Sequence, residues 1–262
     1  MSELRVDGGV LRYWMCGDGP PVLLTHGAGA DHRMFTGQAA ALAEAGYRAI
    51  TWDMRGHGLS RPSVTEFTAA RAIADMSALL EHVDAERPVL VGQSLGGNLA
   101  QTFTRLHPDS VRALVIIGSA WNAGPLTSTE RRLLALASVV FRTIPYRAMR
   151  VLMVRSSATT AAAREDLERA FGSLSKREFV AAWTAAVESL SPDPEYRTPV
   201  PLCLIRGDQD RTGNIATSMP KWAAHEAVEE NVIANAGHVA NQDDPSAVNA
   251  VILRFLEQLQ AL

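Results

Sequence analysis

The stretch Val89-Leu90-Val91-Gly92-Gln93-Ser94-Leu95-Gly96-Gly97 constrains this chain more than any other. Three apolar β-formers run straight into a serine held between glycines. A helical pattern begins at once: Leu95, Leu99, Phe103 and Leu106 recur at i, i+4, i+8 and i+11, one face of a helix. A strand that turns directly into a helix leaves its turn residue little steric room. The glycines relieve conflict with neighbouring backbone. The serine is forced into a strained conformation that lifts its hydroxyl above the sheet. Two readings follow: an exposed nucleophile, or a strand-to-helix turn capped by serine.

Short β-type runs recur along the chain, at Leu4–Val6, Leu11–Met15, Val22–Thr25, Arg48–Trp52, Val89–Val91, Ala113–Ile117, Leu202–Ile205 and Val232–Ala234. The Asp7-Gly8-Gly9 turn makes the first two a hairpin. From Val22 onward, strands alternate with helical patterns, which predicts a mostly parallel sheet covered on both faces. One segment breaks the alternation. Between about 123 and 199 no strand signal appears, and helical patterns follow one another over Glu130–Phe141, Tyr146–Val154, Ala163–Phe171 and Lys176–Leu190. Pro145, Gly172 and the Pro192–Pro194 turn separate them. The expected architecture is α/β: a mostly parallel sheet flanked by helices, with a helical cap inserted after the sixth strand. Residues 1–122 and 198–262 form the core, and 123–197 form the cap.

With 262 residues, 47% of them hydrophobic and 20% charged, the chain can bury a large core. The formal net charge of −3 argues against a nucleic-acid partner. No stretch reaches the ~18 apolar residues of a membrane helix, and MSELRVDGG lacks the apolar core of a signal peptide. A cytoplasmic location is expected. Cys16 and Cys203 lie far apart, which predicts two reduced, mostly buried thiols rather than a disulfide or a metal set.

A serine hydroxyl needs a base to become a nucleophile. Of seven histidines, His26 and His57 lie in turns and read as structural. His82, His107 and His225 lie on helical or surface-type segments and read as solvated, and His32 sits near the site mouth. His238 differs, because it follows the last strand at its C-terminal end, where open parallel sheets place their sites. The base in turn needs a carboxylate to hold its tautomer. Arg206-Gly-Asp208-Gln-Asp210 follows the seventh strand; Asp210 lies farther into the turn and fits that role, whereas Asp208 reads as a turn-former. The loop after the sixth strand, Gly118-Ser-Ala-Trp121, carries no acid. The order Ser94…Asp210…His238 is the one this kind of sheet requires. Two backbone amides, those of Leu95 and Ala28, can hold a tetrahedral oxyanion.

At these residues the chain resembles the α/β-hydrolases over nearly its whole length. The matching motifs are His26-Gly-Ala-Gly29, Asp53-Met-Arg-Gly-His-Gly-Leu-Ser60, Gly92-Gln-Ser-Leu-Gly-Gly97, Gly207-Asp-Gln-Asp210, and Gly237-His238 with Asp243 and Pro245. The resemblance implies an eight-stranded sheet whose second strand is antiparallel, and a structural role for the Asp53–Ser60 loop. Ser94 sets the chain apart from haloalkane dehalogenases and epoxide hydrolases, which resemble this fold but carry aspartate there. Gln93 and Val239 differ from the Asn and Trp common in the C–C hydrolases of this family. Ala236-Gly-His-Val-Ala-Asn241 is similar to the enol-lactone hydrolases. The implied activity is hydrolysis of a small, partly apolar carboxylic ester or lactone through an acyl-enzyme on Ser94, without metal or organic cofactor. Amide, C–C or perhydrolase chemistry on the same triad, or a receptor with little turnover, stand as alternatives, and a homodimer is left open. Gly27, His32, Trp121, Leu133, Phe141, Met149, Met153, Trp183 and Val239 are the candidates for the pocket wall.

Overall fold

The computed structural model describes residues 1–260; within 128–143 the side chains of 131, 133, 135, 137–140 and 142 are outside the described set. Eight strands form one sheet in the order β1-β2-β4-β3-β5-β6-β7-β8. The strands are β1 (Ser2–Val6), β2 (Gly9–Cys16), β3 (Pro21–Thr25), β4 (Arg48–Asp53), β5 (Val89–Gln93), β6 (Ala113–Ile117), β7 (Leu202–Gly207) and β8 (Glu230–Ile233). β2 runs antiparallel to both β1 and β4, and every other pairing is parallel. The β1–β2 hairpin turns through Asp7-Gly8, where Gly8 takes φ +78, a left-handed value that suits a residue without a Cβ.

Central strands β5 and β6 are buried along their whole length, as expected where helices cover both faces. On one face α2 (Ala69–His82), α3 (Leu95–Leu106) and α8 (Ile215–Glu226) pack over Leu23, Leu90, Leu114 and Leu204; on the other, α1 (Thr36–Glu44) and α9 (Pro245–Gln260) cover Val22, Val91, Val115 and Ile205. The alternation of neighbours in β3, such as Val22 and Leu23, into opposite core clusters is the period-2 pattern of a strand.

Between β6 and β7 lie four consecutive helices: α4 (Ser128–Thr143), α5 (Tyr146–Ser157), α6 (Ala161–Ser173) and α7 (Lys176–Glu188). α6 starts at Thr160, whose hydroxyl accepts from the Ala163 amide, and α7 at a capping box of Ser175 and Glu178. Entry and exit of this insertion are tied together by Ser191 N to Asn122 O (2.8 Å) and Asp193 N to Ala123 O (2.9 Å). Its Phe171 and Phe179 pack against Gly29 at the C-terminal end of β3, and its Ser157 against Gly237 beyond β8. The insertion therefore meets the loops that follow β3 and β8.

Two expectations are corrected. Cys16 is exposed, because β2 runs out at its C-terminal end, while Cys203 is buried in β7. The last strand is Glu230–Ile233, which starts two residues before and ends one residue before the expected Val232–Ala234. Its polar start is held by ion pairing of Glu230 to Arg206 (2.8 Å).

Candidate active site

Ser94 links β5 to α3 with φ 50 and ψ −116, a conformation costly to any residue with a Cβ. The neighbouring glycines explain how it is tolerated. A methyl group at Gly92 would stand 2.4 Å from the Gly96 carbonyl carbon, and one at Gly96 would stand 2.0 Å from the Thr25 carbonyl oxygen. The turn is braced from β6: Ser94 N donates to Ile117 O (3.0 Å), and Ser119 Oγ donates to Ser94 O (2.8 Å).

Asp210 follows β7 and is fully buried; His238 follows β8 and is 7% exposed. His238 Nδ1 lies 2.9 Å from Asp210 Oδ2, and Asp210 Oδ1 accepts from the Thr212 amide at 2.8 Å. Burial alone would push the Asp210 carboxyl up. The charge and hydrogen bond of His238, with the Thr212 amide, outweigh it and hold the group below the ordinary carboxylate value. An anionic Asp210 favours the imidazole tautomer with its proton on Nδ1, which leaves Nε2 as the acceptor. Gly118 (φ +50) gives the pair room: a methyl group there would stand 2.7 Å from His238 O and 3.3 Å from Asp210 Oδ2. Asp208 is exposed on the same loop, whereas the His238 ring bonds Asp210.

Gln93, the residue before Ser94, is 1% exposed and donates from Nε2 to His238 O at 3.1 Å. Its Oε1 lies against Gly27, where a methyl group would be 2.2 Å from Oε1 and 3.3 Å from Ser94 Cβ. One buried amide therefore joins the turn of Ser94, the loop of His238 and the loop Gly27–Ala28. Ala28 N and Leu95 N have no acceptor among the described residues. Leu95 follows Ser94 directly, and its N–H is one of the free amides of a helix start; Ala28 follows Gly27, which stands beside Ser94 Cβ. Ser94 Oγ and His238 Nε2 share no hydrogen bond in this structure; such pairs are commonly looser in the free protein than with substrate.

Residues 20–245 match the family described as alpha/beta hydrolase fold. The chain belongs to that family. It is a hydrolase. Its fold is similar to that of a thermophilic esterase from Thermogutta terrifontis (TM-score 0.83, 22% identity, 99% of both chains). It is also similar to the enol-lactonase from Burkholderia xenovorans LB400 (TM-score 0.81, 21% identity, 98% of this chain and 100% of that one). In sequence it is 26% identical over 265 residues to the 2-hydroxy-6-oxo-6-(2'-aminophenyl)hexa-2,4-dienoic acid hydrolase of Metapseudomonas resinovorans, covering 96% of this chain and 89% of the relative.

The other histidines of this hydrolase have structural partners. His26 is buried, with Nδ1 on Gly27 O (2.8 Å) and Nε2 accepting from Met54 N (3.0 Å). His57 is equally buried, with Nδ1 on Arg55 O (3.0 Å). His82 and His107 are exposed, but His225 is half-buried: it bonds Tyr196 O (2.9 Å) and packs on the Trp121 ring, correcting its reading as a solvated residue. His32 stacks on Trp14 with centroids 3.4 Å apart and bonds Asp53 Oδ1 through Nδ1 (2.8 Å). Asp31, His32 and Asp53 bring ligand-type atoms within 4.8 Å of one another. Their carboxylates already accept protein donors, from Arg169 and Arg33 at Asp31 and from His32 and Leu59 at Asp53.

The pocket candidates divide. Trp121 belongs to the core beneath the insertion: its ring lies parallel to Trp222 at 6.3 Å and is 7% exposed. Met149 and Val239 are buried in the other core cluster, and Met153 and Phe141 pack at its margin. Phe141 meets Trp183 edge-on at 4.8 Å, an aromatic pair within the insertion. Gly27 stands beside Ser94. Leu133 falls among the side chains outside the described set. A cleft of about 290 Å³ lies elsewhere, between the loop Arg55–Phe67 and α7.

Sequence reasoning missed Gln93 as a tie between the elements, Ser119 as the brace of the turn, and Asp243. Gln93 and Asp243 each carried a signal through their places in the Gly92–Gly97 and Gly237-His238…Asp243-x-Pro245 motifs, and Ser119 carried none.

Proposed function

We propose that the chain hydrolyses a carboxylic ester or lactone of a small, partly apolar substrate. Ser94 Oγ attacks the carbonyl carbon while His238 Nε2 takes its proton. Asp210 stabilises the imidazolium so formed. The amides of Ala28 and Leu95 hold the developing oxyanion. His238 then returns the proton to the leaving alkoxide oxygen, and the acyl group remains on Ser94. Water attacks the acyl-enzyme with His238 again as base, and the acid is released. The helices over residues 123–197 serve as a cap that shields these steps from bulk water. The observation that carries this reading is the Asp210–His238 pair, tied through Gln93 to the strained turn of Ser94.

A panel of p-nitrophenyl esters, linear aryl esters and five- and six-membered lactones tests the reaction class. Turnover of esters or lactones, with one acid and one alcohol function formed per cycle, is the expected result. No turnover on any member, with folded protein, would remove the ester and lactone reading.

A second reading has its own support. The Metapseudomonas relative is named as a hydrolase of a 2-hydroxy-6-oxo-hexa-2,4-dienoic acid bearing an aminophenyl group. On such a substrate the same serine and histidine would cleave a carbon–carbon bond, and product analysis on a compound of that class separates the two.

A further inference from the structure

His238 sits between Val239, which bonds the helical insertion directly, and Gly237, which is held by Asp243. Val239 N donates to Ser157 O at 3.0 Å, across the end of α5. Gly237 N donates to Asp243 Oδ2 at 2.8 Å. The same Asp243 carboxylate accepts from Thr159 N (3.0 Å), Thr160 N (2.9 Å) and Thr160 Oγ1 (3.0 Å), in the turn between α5 and α6. Thr159 Oγ1 adds a bond to Asn235 O (2.8 Å). The fit is close, because a methyl group at Gly237 would stand 2.8 Å from Ser157 O and 3.2 Å from Asp243 Oδ2.

From this geometry we infer that Asp243 is a positioning residue for His238, acting by clamping the loop 235–239 onto the α5–α6 turn of the insertion. The inference rests on His238 being the base of the proposed reaction. The physical argument is one of degrees of freedom. The imidazole is fixed at its ring by Asp210 and at its own carbonyl by Gln93. Neither bond holds the amides of Gly237 and Val239 on either side of it, which are taken up by Asp243 and Ser157. A carboxylate accepting four donors from two segments removes that freedom, and charge-assisted bonds of this kind are the strong ones. The same clamp makes the α5–α6 turn a fixed seat: moving it away from the core would carry the base out of register with Ser94. Catalysis is sensitive to displacements of this size.

The test is Asp243→Asn, which keeps the shape and one acceptor oxygen but turns an NH₂ group toward the backbone donors. Activity is measured as kcat per active site, with sites counted by a fluorophosphonate that labels Ser94. The expected result is a fall in kcat per labelled site of about 10- to 100-fold, with KM changed by less than about twofold. The rate of Ser94 labelling, which also needs His238, falls in step. Asp243→Glu, able to reach the same amides, recovers part of the loss. A purely structural role predicts otherwise: fewer labelled sites and a lower Tm, but wild-type kcat and labelling rate for each surviving site. That result overturns the inference. If Asp243→Asn does not fold, Gly237→Ala carries the same readout, because its methyl group displaces the loop from Ser157 and Asp243. His238→Ala separates this idea from the one beneath it. If His238→Ala still turns over substrate, the triad reading falls. If His238→Ala is inactive while Asp243→Asn works at the wild-type rate per site, only the clamp falls.

Discussion

Gln93 Nε2 donates to the carbonyl oxygen of His238 at 3.1 Å, joining the residue before the proposed nucleophile to the proposed base. The two are separated by 145 positions in the chain. Replacing Gln93 with Leu removes the donor and leaves His238 O without its partner in a buried site. An unsatisfied buried group of this kind costs about 1–3 kcal/mol. Because the bond bears on the base, the expected effect is a kcat/KM lower by about tenfold or more, with the fold retained. Steady-state kinetics on the best ester of the panel checks it; a Gln93→Leu rate equal to wild type would show the bond to be dispensable.

The loop after β3 is the second sensitive element. Gly27→Ala would place a methyl group 2.2 Å from Gln93 Oε1. The Gln93 side chain or the Ala28 amide must then move. Turnover is expected to fall by about tenfold to a hundredfold while far-ultraviolet circular dichroism stays unchanged, in line with the cost of a misplaced oxyanion donor.

Arg169 on α6 grips Asp31 through two bonds of 2.6 and 3.1 Å, linking the insertion to the segment just beyond Ala28. Asp31 is 4% exposed. Arg169→Gln leaves that carboxylate with the Arg33 amide alone. Since the Arg169 side chain is itself 36% exposed, solvent screens part of the interaction. The expected loss is about 1–2 kcal/mol in urea unfolding, and no change in the unfolding midpoint would contradict it.

Acid should weaken the fold, and the sign follows from three groups. Complete burial drives His57 from 6.5 to about 3, with repulsion from His26 adding to it. Burial also lowers His26, partly offset by Asp53. For Asp31, burial alone would raise the carboxyl, but the bonds and charge of Arg169 outweigh it and the net shift is downward. In each case the folded value lies below the unfolded one, so the unfolded chain binds more protons as pH falls. The stability is present above 6.5 for the histidines, is lost progressively below it, and for His57 continues to be lost down to about 3. Asp31 adds its share below 3.8. Each histidine contributes a slope of up to about 1.4 kcal/mol per pH unit in its window. Urea midpoints at pH 7 and pH 5 should differ accordingly, and His57→Asn should show a smaller difference.

The sequence made the central strands legible, because β6 is apolar throughout, β5 opens on Val89-Leu90-Val91, and both are buried along their whole length. The turn at Ser94 was legible for a related reason: the glycines that its close backbone contacts demand are visible as letters. The start of the edge strand β8 was placed two residues late, since Glu230 and Asn231 carry no apolar signal and are held instead by bonds of their own side chains, to Arg206 and to Leu204 O. Trp121 shows a second limit. Composition marks it as a large apolar ring, but only the packing of α8 reveals that Trp222 occupies its face. The bonds of Asp243 to the insertion span 83 and 84 positions, and no local pattern encodes such a pairing. Which half of a motif braces the fold and which meets substrate is likewise set by contacts between distant segments.

The central claim is that Ser94 carries the acyl group. Intact-protein and peptide mass spectrometry after brief exposure to a p-nitrophenyl ester, with rapid acid quench, tests it most directly, alongside a fluorophosphonate for stable labelling. The account predicts a single adduct on the peptide containing Ser94, no adduct in Ser94→Ala, and a kcat for that variant lower by about 10⁴-fold or more with the fold intact. An adduct on another residue, or near-full turnover by Ser94→Ala, would contradict it.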